Sequence, residues 1–179
     1  MKENLACDIL ISDVSLLPQP DPNHFIEKGW LAIQGPEILA LGKGDPPPHS
    51  AKKRIDGSGC MVMPGLINAH LHAPMTLFRG LADDLPLKSW LEEHIFPAEG
   101  NWVSGEFVYW GTLLACAEMV RSGTTTFSDG YFFEDQAARA ALQSGMRGLL
   151  AQGILDFPTP DSPSPAESIQ RIKNFIQDY

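Results

Sequence analysis

Basic side chains are scarce in this sequence. Thirteen Lys and Arg stand against 22 Asp and Glu, a formal net charge of −9, so the chain as a whole repels polyphosphate and anionic lipid. Its one basic run, Lys52-Lys53-Arg54, is too short to offset that, and neither nucleic acid nor a membrane surface is expected as a partner. Cysteine is equally sparse: Cys7, Cys60 and Cys116 are odd in number, far apart and free of any C-x-x-C spacing. The pattern fits reduced thiols better than a disulfide framework or a zinc knuckle, and it points to the cytoplasm. Long apolar runs are missing too. Nothing approaches the roughly 18 apolar residues of a membrane span. Residues 1–7 lack the apolar stretch of about 7 to 15 residues that a secretory signal needs, so Leu5-Ala6-Cys7 is not read as a lipidation site.

What is present is the composition of a folded protein, 44% hydrophobic and 20% charged, with enough apolar material for a core. Residues 5–62 read as short strands: residues 8–12 alternate, and residues 30–33 and 38–41 are apolar runs with Gly35-Pro36 between them. A small antiparallel β unit is expected. Residues 42–49, with Gly42, Gly44 and Pro46-Pro47-Pro48, read as an exposed extended connection, followed by a short strand at residues 59–62. From Pro64 the texture changes to strands alternating with helices. The expected order is strand 66–71, helix 90–95, helix 107–121, strand 124–127, helix 135–144, strand 148–155 and helix 168–176, which are βα units around a parallel sheet. Gly123 and Gly145 punctuate the helix ends.

The sharpest chemical feature is Met63-Pro64-Gly65-Leu66-Ile67-Asn68-Ala69-His70-Leu71-His72. On a strand, residues two apart share a face, so Asn68, His70 and His72 point one way while Ile67, Ala69 and Leu71 turn toward covering helices. Two imidazoles on one face can converge on a cation. Alone, the pair is a weak motif, since satisfied core histidines occur at the same spacing. Trp90 shares helical spacing with Leu87, Leu91 and Ile95, a stripe that packing explains more often than a pocket does. His94, among Glu92, Glu93 and Phe96, reads as a surface histidine. Asp129 before Gly130 reads as a turn residue, with the active-site end of a strand as the alternative.

The segment ending in His70-Leu71-His72 resembles the first barrel strand of the amidohydrolases. The likeness continues through Met75-Thr76-Leu77-Phe78-Arg79-Gly80-Leu81-Ala82-Asp83-Asp84, Trp90-Leu91, Ile95-Phe96-Pro97-Ala98-Glu99, Glu118-Met119 and residues 123–129. This longer stretch is similar to the subgroup of S-adenosylhomocysteine and 5′-methylthioadenosine deaminases and related triazine chlorohydrolases. The resemblance implies an α/β fold: the N-terminal part of a (β/α)8 TIM barrel of a metal-dependent hydrolase, preceded by part of a small composite β-sandwich domain. Residues 1–62 would be the partial sandwich and residues 63–179 the first three βα units of the barrel.

As implied by the resemblance, His70 and His72 bind one divalent metal ion, zinc in the first instance with iron as the alternative, and Glu99 binds the ribose hydroxyls of a nucleoside. An ionised carboxylate suits that task because it is acceptor-only. Trp90 would line the pocket. In the resembled deaminases an arginine on the third strand helps to hold substrate; Gln152 stands near that place, a departure that leaves the exact substrate open. The implied activity is hydrolytic deamination of adenosine derivatives with release of ammonia, the full-length enzyme being a homo-oligomer. Alternatives are a triazine-type hydrolase, a guanine or cytosine aminohydrolase, or a non-catalytic relic. The family needs two further metal ligands, a histidine and an aspartate, plus a catalytic glutamate and another histidine, all from later strands. No histidine follows His94. The chain is therefore expected to be a fragment without catalytic residues of its own and inactive alone.

Overall fold

The computed structural model describes residues 5–179; residues 1–4, where the segment read as lacking a leader begins, lie outside the described residues. Strand β1 (Leu5–Leu16) is the spine of the first sheet. It pairs antiparallel with β2 (Ile26–Gln34), which pairs antiparallel with β3 (Glu37–Lys43). On its other side β1 takes β4 (His49–Asp56) and β5 (Met61–Val62), both parallel. The sheet is thus mixed, a correction to the antiparallel unit expected. Residues 50–54 carry no alternating apolar signal, and β4 is a strand because β1 pairs with it, which is tertiary context overriding propensity.

A register shift at Asp13, whose φ is +53°, interrupts the pairing of β1 with β2. One extra residue reverses the alternation beyond it. Ile11, Val14 and Leu16 consequently share a cluster with Leu31 and Ile33, while Leu10 packs with Trp30 and Ala32 in another.

The chain divides into two compact units after Pro64. In the second, β6 (Leu66–Leu71) is followed by a 3-10 turn at Ala73–Phe78, a single helical turn α1 (Leu87–Ser89), a π-helical segment at Trp90–Ile95, and α2 (Phe96–Trp102). Then come α3 (Gly105–Arg121), β7 (Thr124–Tyr131), α4 (Glu134–Ser144), β8 (Arg147–Gln152) and α5 (Pro165–Asp178). The three strands form a parallel sheet in the order β6-β7-β8, the βα arrangement the sequence predicts.

Helix α3 starts at Ser104, whose side chain accepts from the Phe107 backbone N–H, satisfying one of the free donors of the first turn. Its buried residues Val108, Thr112, Ala115, Cys116 and Met119 form a stripe at helical spacing. The chain leaves α3 through Gly123 and α4 through Gly145, at φ +82° and +73°. Phe127, fully buried on β7, lies in the core with Ala73, Cys116, Met119 and Ala141. Gly111 brings α3 against the turn after β6: a Cβ there would stand 2.6 Å from the Pro74 carbonyl oxygen. Leu71 packs against this core, but Ile67 is 71% exposed, so the helical cover expected over that face of β6 does not reach it among the described residues.

Candidate functional site

The end of β6 meets the end of β7 through one short contact. His72 Nδ1 lies 2.7 Å from the Gly130 carbonyl oxygen. A carbonyl only accepts, so Nδ1 carries the hydrogen and Nε2 is the nitrogen left to face a cation, the arrangement that orients a metal-ligating imidazole. The His70 ring stands beside it, 5.4 Å between centroids and at 82°. Asn68 Oδ1 accepts from the His70 backbone N–H at 3.3 Å.

Beside this pair, Asp129 belongs to β7 rather than to a turn. It is 2% exposed, and its Oδ1 accepts from the backbone N–H groups of Ala73 and Gly130, each at 3.0 Å. Burial pushes its carboxyl up to about 6, although those two donors pull it down. Its Oδ2 is buried without a hydrogen-bond partner.

The donor set fits a divalent cation in part. Two imidazoles, one oriented by a carbonyl, and an orphaned carboxylate oxygen are chemistry that zinc accepts. Among the described residues no group of three or more His, Cys, Asp or Glu is placed to hold a metal, so Asp129 does not complete a cage around His70 and His72.

Glu99 on α2 is not the solvated carboxylate its charged neighbours would suggest. It is 8% exposed, and the Tyr131 hydroxyl donates to its Oε1 at 2.7 Å. Loss of water raises its carboxyl above the usual range, while the Tyr131 hydrogen bond and the nearby His72 oppose that rise. Burial and the adjacent Glu99 carboxylate push the Tyr131 hydroxyl far upward, so it stays protonated and serves as a donor.

A cavity of about 280 Å³ joins these groups, with His72, Met75, Trp90, Glu99 and Tyr131 in its walls. Trp90, whose helical stripe also suits packing, lines it. A second cavity of about 480 Å³ shares Glu99, Phe96, Phe132 and Leu155 but not His72. His94 is half-buried and lines neither.

Gln152 is not brought to Glu99. It lines a separate, polar cavity, and its amide Nε2 donates to Asp161 Oδ2 at 2.9 Å. Asp161 also accepts from the Phe133 backbone N–H at 2.8 Å and from Thr159 Oγ1 at 2.9 Å, and it draws Arg171 Nε to 3.6 Å. Three donors and a cation explain why this buried carboxylate holds Gln152 away from the cavity beside β7.

Tyr131 was missed by sequence reasoning. The signal was there: on a strand Phe127, Asp129 and Tyr131 share a face, but the Asp129-Gly130 pair closes the expected strand early. Glu134, 1% exposed, was missed as well. Its Oε1 accepts from the Tyr131 backbone N–H at 2.6 Å; burial first, then the Asp129 charge, pushes its carboxyl up to about 8.

Residues 61–179 match the amidohydrolase family. A curated protein from Syntrophobacter fumaroxidans, named 5-methylthioadenosine/S-adenosylhomocysteine deaminase, is 51% identical over 154 residues, which cover 85% of this chain and 35% of that one. A protein of the same name from Thermodesulfovibrio yellowstonii is 54% identical over 171 residues, 92% of this chain and 38% of that one. The zinc-bound crystal structure of an adenosine deaminase from Xanthomonas campestris shares the fold with a TM-score of 0.88 at 38% identity, covering 96% of this chain and 40% of that one. The chain therefore spans less than two-fifths of the length of these two curated relatives.

Proposed function

This chain belongs to the amidohydrolase family and has the fold of the N-terminal part of its (β/α)8 barrel, and from that premise we propose that it supplies part of the active site of a hydrolytic deaminase of adenosine derivatives. The substrate class is 5′-methylthioadenosine and S-adenosylhomocysteine. The observation that carries this reading is Glu99: a buried carboxylate with one oxygen held by Tyr131, in the wall of a cavity that also contains His72. A buried carboxylate needs donors, and a ribose with two adjacent hydroxyls supplies them. A free base such as guanine or cytosine has no ribose hydroxyls and could offer Glu99 only its own N–H groups, so a preference for adenosine over adenine separates the two readings.

His70 and His72 would hold the metal. The chemistry such a group supplies when bound is activation of water at neutral pH. Glu99 fixes the ribose, Tyr131 fixes Glu99, and Trp90 excludes water from one wall of the cavity. In the net reaction one water replaces the exocyclic amine on the ring carbon and ammonia departs.

With two imidazoles and no third placed ligand among the described residues, this stretch does not hold metal in a defined geometry. We propose that it is inactive alone and that the catalytic acid/base group lies outside it. Homo-oligomer formation is carried over from the resemblance. Three free cysteines support a cytoplasmic setting, and among the described residues no helix is long and apolar enough to cross a membrane.

The test is ammonia release from 5′-methylthioadenosine with zinc supplied. It compares the 179-residue chain with the same chain fused in frame to the remaining length of the 54% identical relative. Turnover only by the fusion, abolished by His70→Ala, is expected. A folded fusion without turnover, or turnover that survives His70→Ala, overturns the reading.

A further inference from the structure

We infer that the site selects nucleosides with a small, uncharged 5′ substituent, as in 5′-methylthioadenosine, over those ending in an ionised amino-acid tail, as in S-adenosylhomocysteine. The inference rests on the nucleoside reading above and goes beyond it by choosing within the substrate class. A nucleoside is linear in its parts: base, ribose, 5′ group. Hydrolysis of the base must occur beside His72, and the ribose is held at Glu99, so the 5′ group lies on the far side of Glu99 from His72. The space beside Glu99 that does not include His72 is the second cavity, which shares Glu99 with the first, and we assign the 5′ group to it.

Its walls are mostly apolar, with Phe96, Phe132, Leu155, Phe157, Pro158 and Pro160; the polar side chain of Thr159 there is already bonded to Asp161 and to the Ser162 carbonyl. Glu99 is its only charged lining residue among those described. Residues 153–164, which form much of the wall, contain Asp156 and Asp161 and no Lys or Arg. The cation close by, Arg171, is already engaged: it donates to the Asp161 carbonyl at 2.8 Å, approaches the Asp161 carboxylate and lies over the Phe133 ring. Gln152, the other polar side chain at the end of β8, is held by Asp161.

An ionised amino-acid tail entering this space sheds the water around both of its charged ends; among the described lining residues its carboxylate meets no cation, and Glu99, the one group that could pair with its ammonium, is already engaged by Tyr131 and the ribose. Both effects oppose binding. A methylthio group meets aromatic and proline surface, against which a polarisable sulfur packs favourably.

The experiment is calorimetric titration of the zinc-free fusion described above, in which the site is complete, with 5′-methylthioadenosine, adenosine, S-adenosylhomocysteine and adenine, repeated on the fusion carrying Phe157→Arg. Phe157 is 49% exposed, so the arginine is tolerated by the fold. The expected result is 5′-methylthioadenosine binding about tenfold more tightly than S-adenosylhomocysteine, with the ratio narrowed or reversed in Phe157→Arg. Equal or tighter binding of S-adenosylhomocysteine, or a ratio unmoved by Phe157→Arg, overturns this inference and leaves the nucleoside reading standing. If adenosine binds no better than adenine, or nothing binds, the nucleoside reading fails and this inference falls with it.

Discussion

Tyr131 and Glu99 are joined by a buried hydrogen bond of 2.7 Å, the hydroxyl donating to one carboxylate oxygen. The bond ties β7 to α2 and leaves the second carboxylate oxygen for a ligand. Tyr131→Phe removes the donor while keeping the ring that packs with Val108, Phe132 and Ala137. The carboxyl of Glu99 should then rise further, and adenosine affinity at neutral pH should fall by about tenfold with adenine binding unchanged. Calorimetry on the variant decides it.

For the metal, His70→Ala and His72→Ala should each weaken zinc binding at least about tenfold, since a site with one remaining imidazole has little left to offer a cation. Competition against a chromophoric chelator measures this. If both variants keep the unsubstituted chain's affinity, the metal is held elsewhere.

Glu134 gives the chain a pH-dependent stability. Its carboxyl in the folded chain sits at about 8, above the ordinary 4.5, so the folded state holds a proton that the unfolded state releases. The stabilisation is fully present below about pH 4.5 and is lost as pH rises through about 8. Thermal melts at pH 5.5 and 8.5 should show the midpoint falling with pH, and Glu134→Gln should flatten that part of the dependence, leaving the smaller share owed to Asp129.

Gly111→Ala should destabilise by about 1 to 3 kcal/mol. The new Cβ meets the Pro74 backbone, which cannot swing aside as a flexible side chain would. The displaced turn carries Met75, a wall of the first cavity, so nucleoside affinity should fall along with the denaturation midpoint. A fully stable variant would show that the turn moves freely.

Much of this was legible in the sequence. The βα alternation from Pro64 was visible because buried strands such as β7 and helices such as α3 differ in apolar period, and glycines mark the breaks. Strand spacing put His70 and His72 on one face, but only the resemblance to the amidohydrolases made them candidate metal ligands. Three features were hidden. β4 is a strand by pairing rather than by pattern. Tyr131 stood behind an Asp-Gly pair that reads locally as a turn. The direction of Gln152 depends on Asp161, nine residues later in a loop, and no local rule reports which acceptor an amide finds.

The π-helical segment at Trp90–Ile95 sets the phase of the first cavity. In a regular α-helix, residues nine apart lie roughly 180° from each other around the axis, so Trp90 and Glu99 would face opposite sides. Both line the same cavity, because the wider turn between them spends an extra residue per hydrogen-bonded loop and rotates one relative to the other. The irregularity acts as a spacer in angle rather than in length. Deleting a single residue there would mend the helix and leave the indole and the carboxylate eight residues apart, roughly 80° around a regular axis, so the wider turn absorbs the one residue that would otherwise carry them to opposite sides.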